Sequence, residues 1–137
     1  MNDNIINQLI ILLTVIKEFS KDIHYSCHGE SFYGKHLLVD HFDFNDSIDL
    51  VKECILLGHG IRPLASKEYL LRASNILVPP EEHNDKKNFE ILQDYLQEAL
   101  HLIQSLTELS KADENVIGGI AQYLQQYYGL LNLQVEE

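Results

Sequence analysis

Proline, the residue that a helix interior tolerates least, occurs only at Pro63 and Pro79-Pro80 in this 137-residue chain. On either side of that region apolar residues recur at helical spacing over long runs, so the chain is confined to long helices joined by one irregular connection. From residue 3 to about 28, Ile6, Leu9, Ile10, Leu13, Ile16 and Ile23 form a helical stripe, and Ile5, Ile11, Leu12 and Val15 widen it beyond one face. Such a helix is covered twice, by its own bundle and by a neighbouring subunit, or it is the central helix of a monomer. Gly29 suits a left-handed C-terminal cap, and Ser31 is the N-cap of a second helix running to about residue 57. Gly58, Gly60 and Pro63 break that helix. Ser66 then caps a short helix through Ala73, and Pro79-Pro80 closes the connection.

A third helix begins at Asn84 or Asp85 and ends near Ser110, with Phe89, Leu92, Leu96, Leu100, Ile103, Leu106 and Leu109 as its stripe. Residues 111–114 form a turn. The fourth helix, from about 113 to 131, carries Val116, Ile117, Ile120, Leu124, Tyr127 and Leu131. Gly118-Gly119 lies near its start, where two glycines cost roughly 1 kcal/mol each relative to alanine. They read as a close packing point or as room around a pore. The expected fold is all-α, one domain over 1–137, with four long helices and a short helix in the crossover between the second and third.

The charge pattern narrows the function. The net charge is −11, a surface that repels nucleic acid and attracts cations. Neither MNDNIINQ at the start nor QVEE at the end is a basic tail. Cys27 and Cys54 lie outside any CxxC spacing and make no disulfide framework, which points to a reduced cytoplasm. Lys17 and Lys21 follow the apolar run at 9–16 instead of preceding it as in a signal peptide, and that run is far too short to span a bilayer. There is no glycine-rich phosphate loop, no nucleophile elbow and no zinc-finger spacing. A soluble, cytoplasmic protein without nucleophilic catalysis is expected.

Chemistry concentrates in residues 23–53, which hold four of the seven histidines and many acids interleaved with Leu37, Leu38, Phe42, Ile48 and Val51. A core helix rarely carries so many ionisable groups, because burying unpaired charge is expensive. His36 and Asp40 are four apart, as are Asp49 and Glu53, and residues so spaced share a helix face and can grip one ion. Imidazole with carboxylate suits iron or zinc. A lone histidine on an amphipathic helix more commonly hydrogen-bonds a neighbour and does nothing else. His28 and His41 read as supports to a site or as surface, Cys27 as an oxidation sensor or a buried structural thiol, His59 as part of the turn and His83 as surface. Glu98 and His101 have the order of a di-iron ExxH motif. The fourth helix has Gln125, Gln126 and Tyr127 where the second motif would stand, which speaks against a site inside one bundle.

His24, then His36 with Asp40, then Asp49 with Glu53, then the Gly58-His59-Gly60 turn and IRPLASKEYLLRASNI together resemble the Dps family, ferritin-like proteins that protect DNA from starvation and oxidative stress. The resemblance is strongest over about residues 20–78 and is architectural only over 1–19 and 88–133. It implies a ferritin-like four-helix bundle and a ferroxidase centre between two subunits, with His24, His36 and Asp40 from one chain and Asp49 and Glu53 from the other. Iron would be oxidised there by peroxide or dioxygen and stored inside a homo-oligomeric shell, a dodecamer built from dimers. Tyr25 stands where the family usually has a tryptophan.

One spacing departs from the family. Asp40 and Asp49 are nine residues apart, two fewer than in the family's pattern. On an ideal helix nine residues turn through about 900°, so Asp49 and Glu53 would face away from His36 and Asp40. Without a gap the acidic positions would fall on Val51 and Ile55, whereas Asp43, Ser47 and Cys54 would share the face of His36. The local string ID-x-V-x-E-x-I favours Asp49 and Glu53, with a bulge or a shortened helix start to reconcile the register and Asp43 as the reserve ligand. The alternative function is a ferritin-like structural or interaction protein with a degenerate metal site. From the charge alone, DNA binding is expected to be absent at neutral pH and physiological salt, and a salt-dependent gel shift at sub-micromolar protein would contradict it.

Overall fold

The structure, a computed structural model, describes residues 2–29 and 32–136; the expected N-cap Ser31 lies outside them. Among the described residues every regular element is helical. The elements are α1 (Asn2–Ser26), α2 (Phe32–Val39), a 3-10 turn (Asp40–Phe42), α3 (Asn45–Leu50) running into a π-helix (Val51–Leu56) and a 3-10 turn (Leu57–His59), α4 (Ser66–Ile76), α5 (Asp85–Gln104) and α6 (Lys111–Val135). No helix among them is long and apolar enough to cross a membrane.

Helix α1 is the centre of the packing. Leu9, Leu13 and Ile16 are buried as the stripe requires, and so are Ile11, Leu12 and Val15 on the remaining sides. The cover comes from within the chain: α1 packs on α5, on α4 and on α2. Over residues 9–16 the broad apolar surface is thus covered within the chain, as for a central helix. Phe19 is fully buried and meets Tyr95 of α5 edge-on at 5.5 Å, a geometry worth about 1 kcal/mol beyond its area.

Two tyrosines pin the crossover. The Tyr69 hydroxyl donates to Asn7 Oδ1 at 2.6 Å and accepts the Leu64 amide at 3.2 Å, tying the approach to α4 onto α1. The Tyr95 hydroxyl accepts the Val78 amide at 3.3 Å and donates to the Ile76 carbonyl at 3.2 Å, tying the exit onto α5. Buried Asn88 exchanges both of its amide bonds with the backbone of Glu81. Backbone groups beside the Pro79-Pro80 corner thus find side-chain partners in place of helical ones.

The expected continuous second helix is broken. Phe42 and Phe44 are both buried, with ring centroids 6.3 Å apart, yet residues two apart on a helix point to different faces. The chain resolves this by leaving the helix at Asp43, whose ψ is 108°, so that both rings turn inward. Asp43 Oδ1 accepts the Asn45 amide at 3.1 Å, a side-chain turn that starts α3. The π-helix adds a second irregularity, and Gly60, at φ 75°, ends the segment in the left-handed region. Gly29 likewise takes φ 78° after α1, as its predicted capping role requires.

Other boundaries move. Helix α5 stops at Gln104, before the apolar period at Leu106 and Leu109 is used up, because Asn2 of α1 bonds both the amide and the carbonyl of Thr107. Helix α6 starts at Lys111 instead of after a 111–114 turn, since Ser110 Oγ accepts the Asp113 amide as N-cap. An added Cβ on Gly118 or Gly119 would meet nothing within 4 Å, so neither glycine is a packing point within this chain.

Asp85, at the start of α5, holds three segments together. Its carboxylate accepts from Lys35 Nζ of α2 at 2.7 Å and from the His28 amide at 3.1 Å, with His28 Nδ1 at 3.3 Å. Burial alone would raise its pKa, but the Lys35 bond, the His28 amide and the nearby charges outweigh it and hold the carboxyl below its ordinary value. Asp85→Ala should therefore cost about 1–3 kcal/mol at neutral pH. A carboxyl with a depressed folded pKa stabilises fully above its unfolded value near pH 4 and loses that contribution as pH falls through the folded one. Urea unfolding should show the gap between variant and wild type closing in strong acid.

Candidate metal centre

His24 sits in the last turn of α1, His36 in α2 and Asp40 at the start of the following 3-10 turn. The fold brings these three together. The two imidazole rings lie 3.7 Å apart between centroids at 30°, and His24 Nδ1 is 2.9 Å from Asp40 Oδ1. That approach is short but badly aligned, so Nδ1, shielded from water, has no well-directed hydrogen bond. His36 Nδ1 lies 3.2 Å from the His24 carbonyl. A carbonyl can only accept, so this contact places the His36 proton on Nδ1. A cavity of about 180 Å³ opens beside His24, lined by His24, Asp40 and Asp43 together with Lys17 and Lys21. Tyr25 meets the His24 ring edge-on at 5.1 Å.

Asp49 and Glu53, on α3 and the π-helix, are exposed and have no hydrogen-bond or ion-pair partner among the described residues. No described contact joins them to His24, His36 or Asp40. Val51 and Ile55, the other register, are buried in the core and face no site. Cys54 does not share a face with His36, because the break at Asp43 abolishes the ideal-helix relation; its thiol instead meets Asp113 at 3.8 Å. Asp43 does reach the cavity of His24 and Asp40. Among the described residues, no group of three or more histidine, cysteine, aspartate or glutamate side chains is arranged to hold one ion. The donor types, two imidazoles and a carboxylate, are ones that a borderline divalent metal accepts.

Four of the remaining histidines, His28, His41, His59 and His83, have structural partners. His28 engages Asp85 and meets His83 edge-on at 5.5 Å. His41 stacks on Tyr127 at 5.0 Å, and its carbonyl accepts the Tyr123 hydroxyl. Burial, then the neighbouring Tyr127, pushes the Tyr123 phenol up to about 12, so it stays protonated at neutral pH. Cys27 is buried and its thiol faces the His24 carbonyl; burial, then Asp85, raises its pKa, which fits the structural reading. His59 is more than part of a turn: its Nε2 lies 2.7 Å from the buried carboxylate of Asp113. Sequence reasoning misses this pair, whose only local sign is the capping pattern Ser110-x-x-Asp113.

Compared with models of known protein families, with curated proteins and with solved structures, the chain matches none.

Proposed function

We propose that the chain is a Dps-like miniferritin subunit with a ferritin-like bundle, taking ferrous iron as substrate at a centre shared between two copies. One observation carries this reading: the candidate ligands divide into an assembled His24–His36–Asp40 half and an unpartnered Asp49–Glu53 half, each beside exposed apolar surface. Tyr25 is 79% exposed and Leu37 44% near the first half, and Leu50 is 50% and Leu57 53% exposed near the second. Large apolar side chains grouped around solvent-facing ligands suit a surface that a partner covers. An incomplete donor set in one chain is what a shared centre requires.

The imidazoles would hold ferrous iron, and the carboxylates, as hard ligands, would favour the ferric product. Two ferrous ions give one electron each to a peroxide, whose O–O bond breaks and, with two protons, yields two waters. Removing ferrous iron and peroxide together suppresses hydroxyl-radical chemistry. The ferric product would be stored inside a closed shell of such subunits, and the open glycine face of α6 would line contacts or a pore within it.

A second reading is a ferritin-like structural or interaction protein with a degenerate metal site, favoured by the short Asp40-to-Asp49 spacing and by donors that do not converge. Iron content after aerobic expression separates the two.

Light scattering in dilute neutral buffer should report a large closed assembly; the mass of a single chain would refute the shared centre. His24→Ala with His36→Ala should slow oxidation of added ferrous iron on the order of ten-fold or more in stopped-flow absorbance. Co-refolding His36→Ala/Asp40→Ala with Asp49→Ala/Glu53→Ala should recover activity well above either parent, because one centre of a mixed dimer regains every ligand. Absence of recovery in an intact assembly would remove Asp49 and Glu53 from the site.

A further inference from the structure

The chain contains no tryptophan, and its single methionine is Met1, so tyrosine and cysteine are its principal oxidisable side chains. Both thiols are held in the protonated form. Burial raises the pKa of Cys27 and of Cys54, with Asp85 adding to it at the first and Asp113 at the second. The thiolate is the form that oxidises readily, which leaves the phenols.

Among the described residues, Tyr123 and Tyr127 are the two tyrosines whose rings lie against each other, with centroids 4.5 Å apart and planes inclined by 31°. They stand four residues apart on α6 and therefore on one face of it. Their surroundings hold them there. Tyr127 stacks on His41 at 5.0 Å and meets Phe42 edge-on at 5.5 Å, while Phe44 meets Tyr123 edge-on at 5.7 Å. The Tyr123 hydroxyl donates to the His41 carbonyl, which fixes that ring against the 3-10 turn. Both tyrosines are half-buried, so a small diffusible oxidant reaches them. The Tyr123 phenol stays neutral, because burial and then Tyr127 push its pKa up to about 12. A neutral phenol is a poor nucleophile and a poor metal ligand. What remains to it is loss of an electron together with its proton.

We propose that Tyr123 and Tyr127 form an oxidative modification site, at which two one-electron oxidising equivalents are consumed in joining the two rings. The oxidant is hydroxyl radical or another diffusible one-electron oxidant. Each phenol gives a hydrogen atom to a hydroxyl radical, which leaves as water. The unpaired electron of each phenoxyl radical resides partly on the ring carbons beside the oxygen, and one such carbon from each ring joins the other in a C–C bond. The hydrogens on those carbons move to the oxygens and restore both phenols. Two tyrosines and two hydroxyl radicals thus give one dityrosine and two waters. Rings already in contact couple in preference to radicals on separate chains, which must first meet by diffusion. The site needs no bound metal and does not rest on the iron-oxidising reading.

Radiolysis of the full chain in dilute azide solution tests it. There the azide radical takes the electron and becomes azide, and the proton passes to the buffer. Residues 112–137 contain no lysine or arginine, so trypsin releases Tyr123, Tyr127 and Tyr128 in one peptide. Mass spectrometry should find this peptide lighter by two hydrogens and not doubled, with dityrosine fluorescence. Tyr123→Phe and Tyr127→Phe each keep a ring and remove a phenol, and each should lower the yield about ten-fold or more, whereas Tyr128→Phe should leave it unchanged. Dityrosine confined to doubled peptides, no dityrosine at all, or a yield indifferent to both Tyr123→Phe and Tyr127→Phe would overturn the proposal.

Discussion

Between Leu9 and Ile16 helix α1 is buried on every side by its own chain, and that single constraint organises the rest. An apolar stretch with no solvent face must be enclosed, so α5 lies along one side, α4 packs on another and the α2 region covers its end. Enclosure forces the connection between the π-helix segment and α5 to travel far. Its backbone groups then need partners that no helix supplies, and Tyr69, Tyr95 and Asn88 provide them. The two places where polar chemistry gathers, the histidine pair and the contact of His59 with Asp113, sit at the two ends of α1. There the apolar run gives way to His24 at one end and Asn2 and Asp3 at the other.

Helical periodicity is enough to locate α1, α5 and α6, because each carries a long stripe and only the ends depend on capping detail; the short α4 is located by the breakers on either side of it, and Ser66, expected as its cap, is instead its first helical residue. It fails for the second helix, where the pattern is apolar but the pair Phe42 and Phe44 must both enter the core. Two rings at that spacing cannot share a helix face, so burial overrides helix propensity and the chain kinks at Asp43. The same kink removes the ideal-helix rotation that set Asp49 and Glu53 against His36 and Asp40. Register arguments made on an ideal cylinder therefore do not apply across residues 43–44, and the π-helix beyond adds a further offset.

Of the candidate site, the His24–His36–Asp40 group is legible because its spacing spans one helix end and one turn of the next. The partners Asp85 and Asp113 are not, since each reaches its histidine across more than fifty positions of chain. The Asn2–Thr107 tie spans 105 positions and fixes the end of α5 against its own apolar period. Contacts of this kind leave only a capping residue as a local trace.

The Asp85 junction has a consequence for motion. Because one carboxylate gathers Lys35 of α2, the backbone after α1 and the first turn of α5, none of these segments can fray alone without stranding a charge away from water. The end of α1 that carries His24 and the helix that carries His36 are thereby joined into one cooperative unit for local opening. Amide hydrogens in the last turn of α1, along α2 and in the first turn of α5 would exchange with solvent through a shared event. The two imidazoles then keep their mutual distance through any fluctuation short of that event, a rigidity that α2, only eight residues long, does not possess by itself.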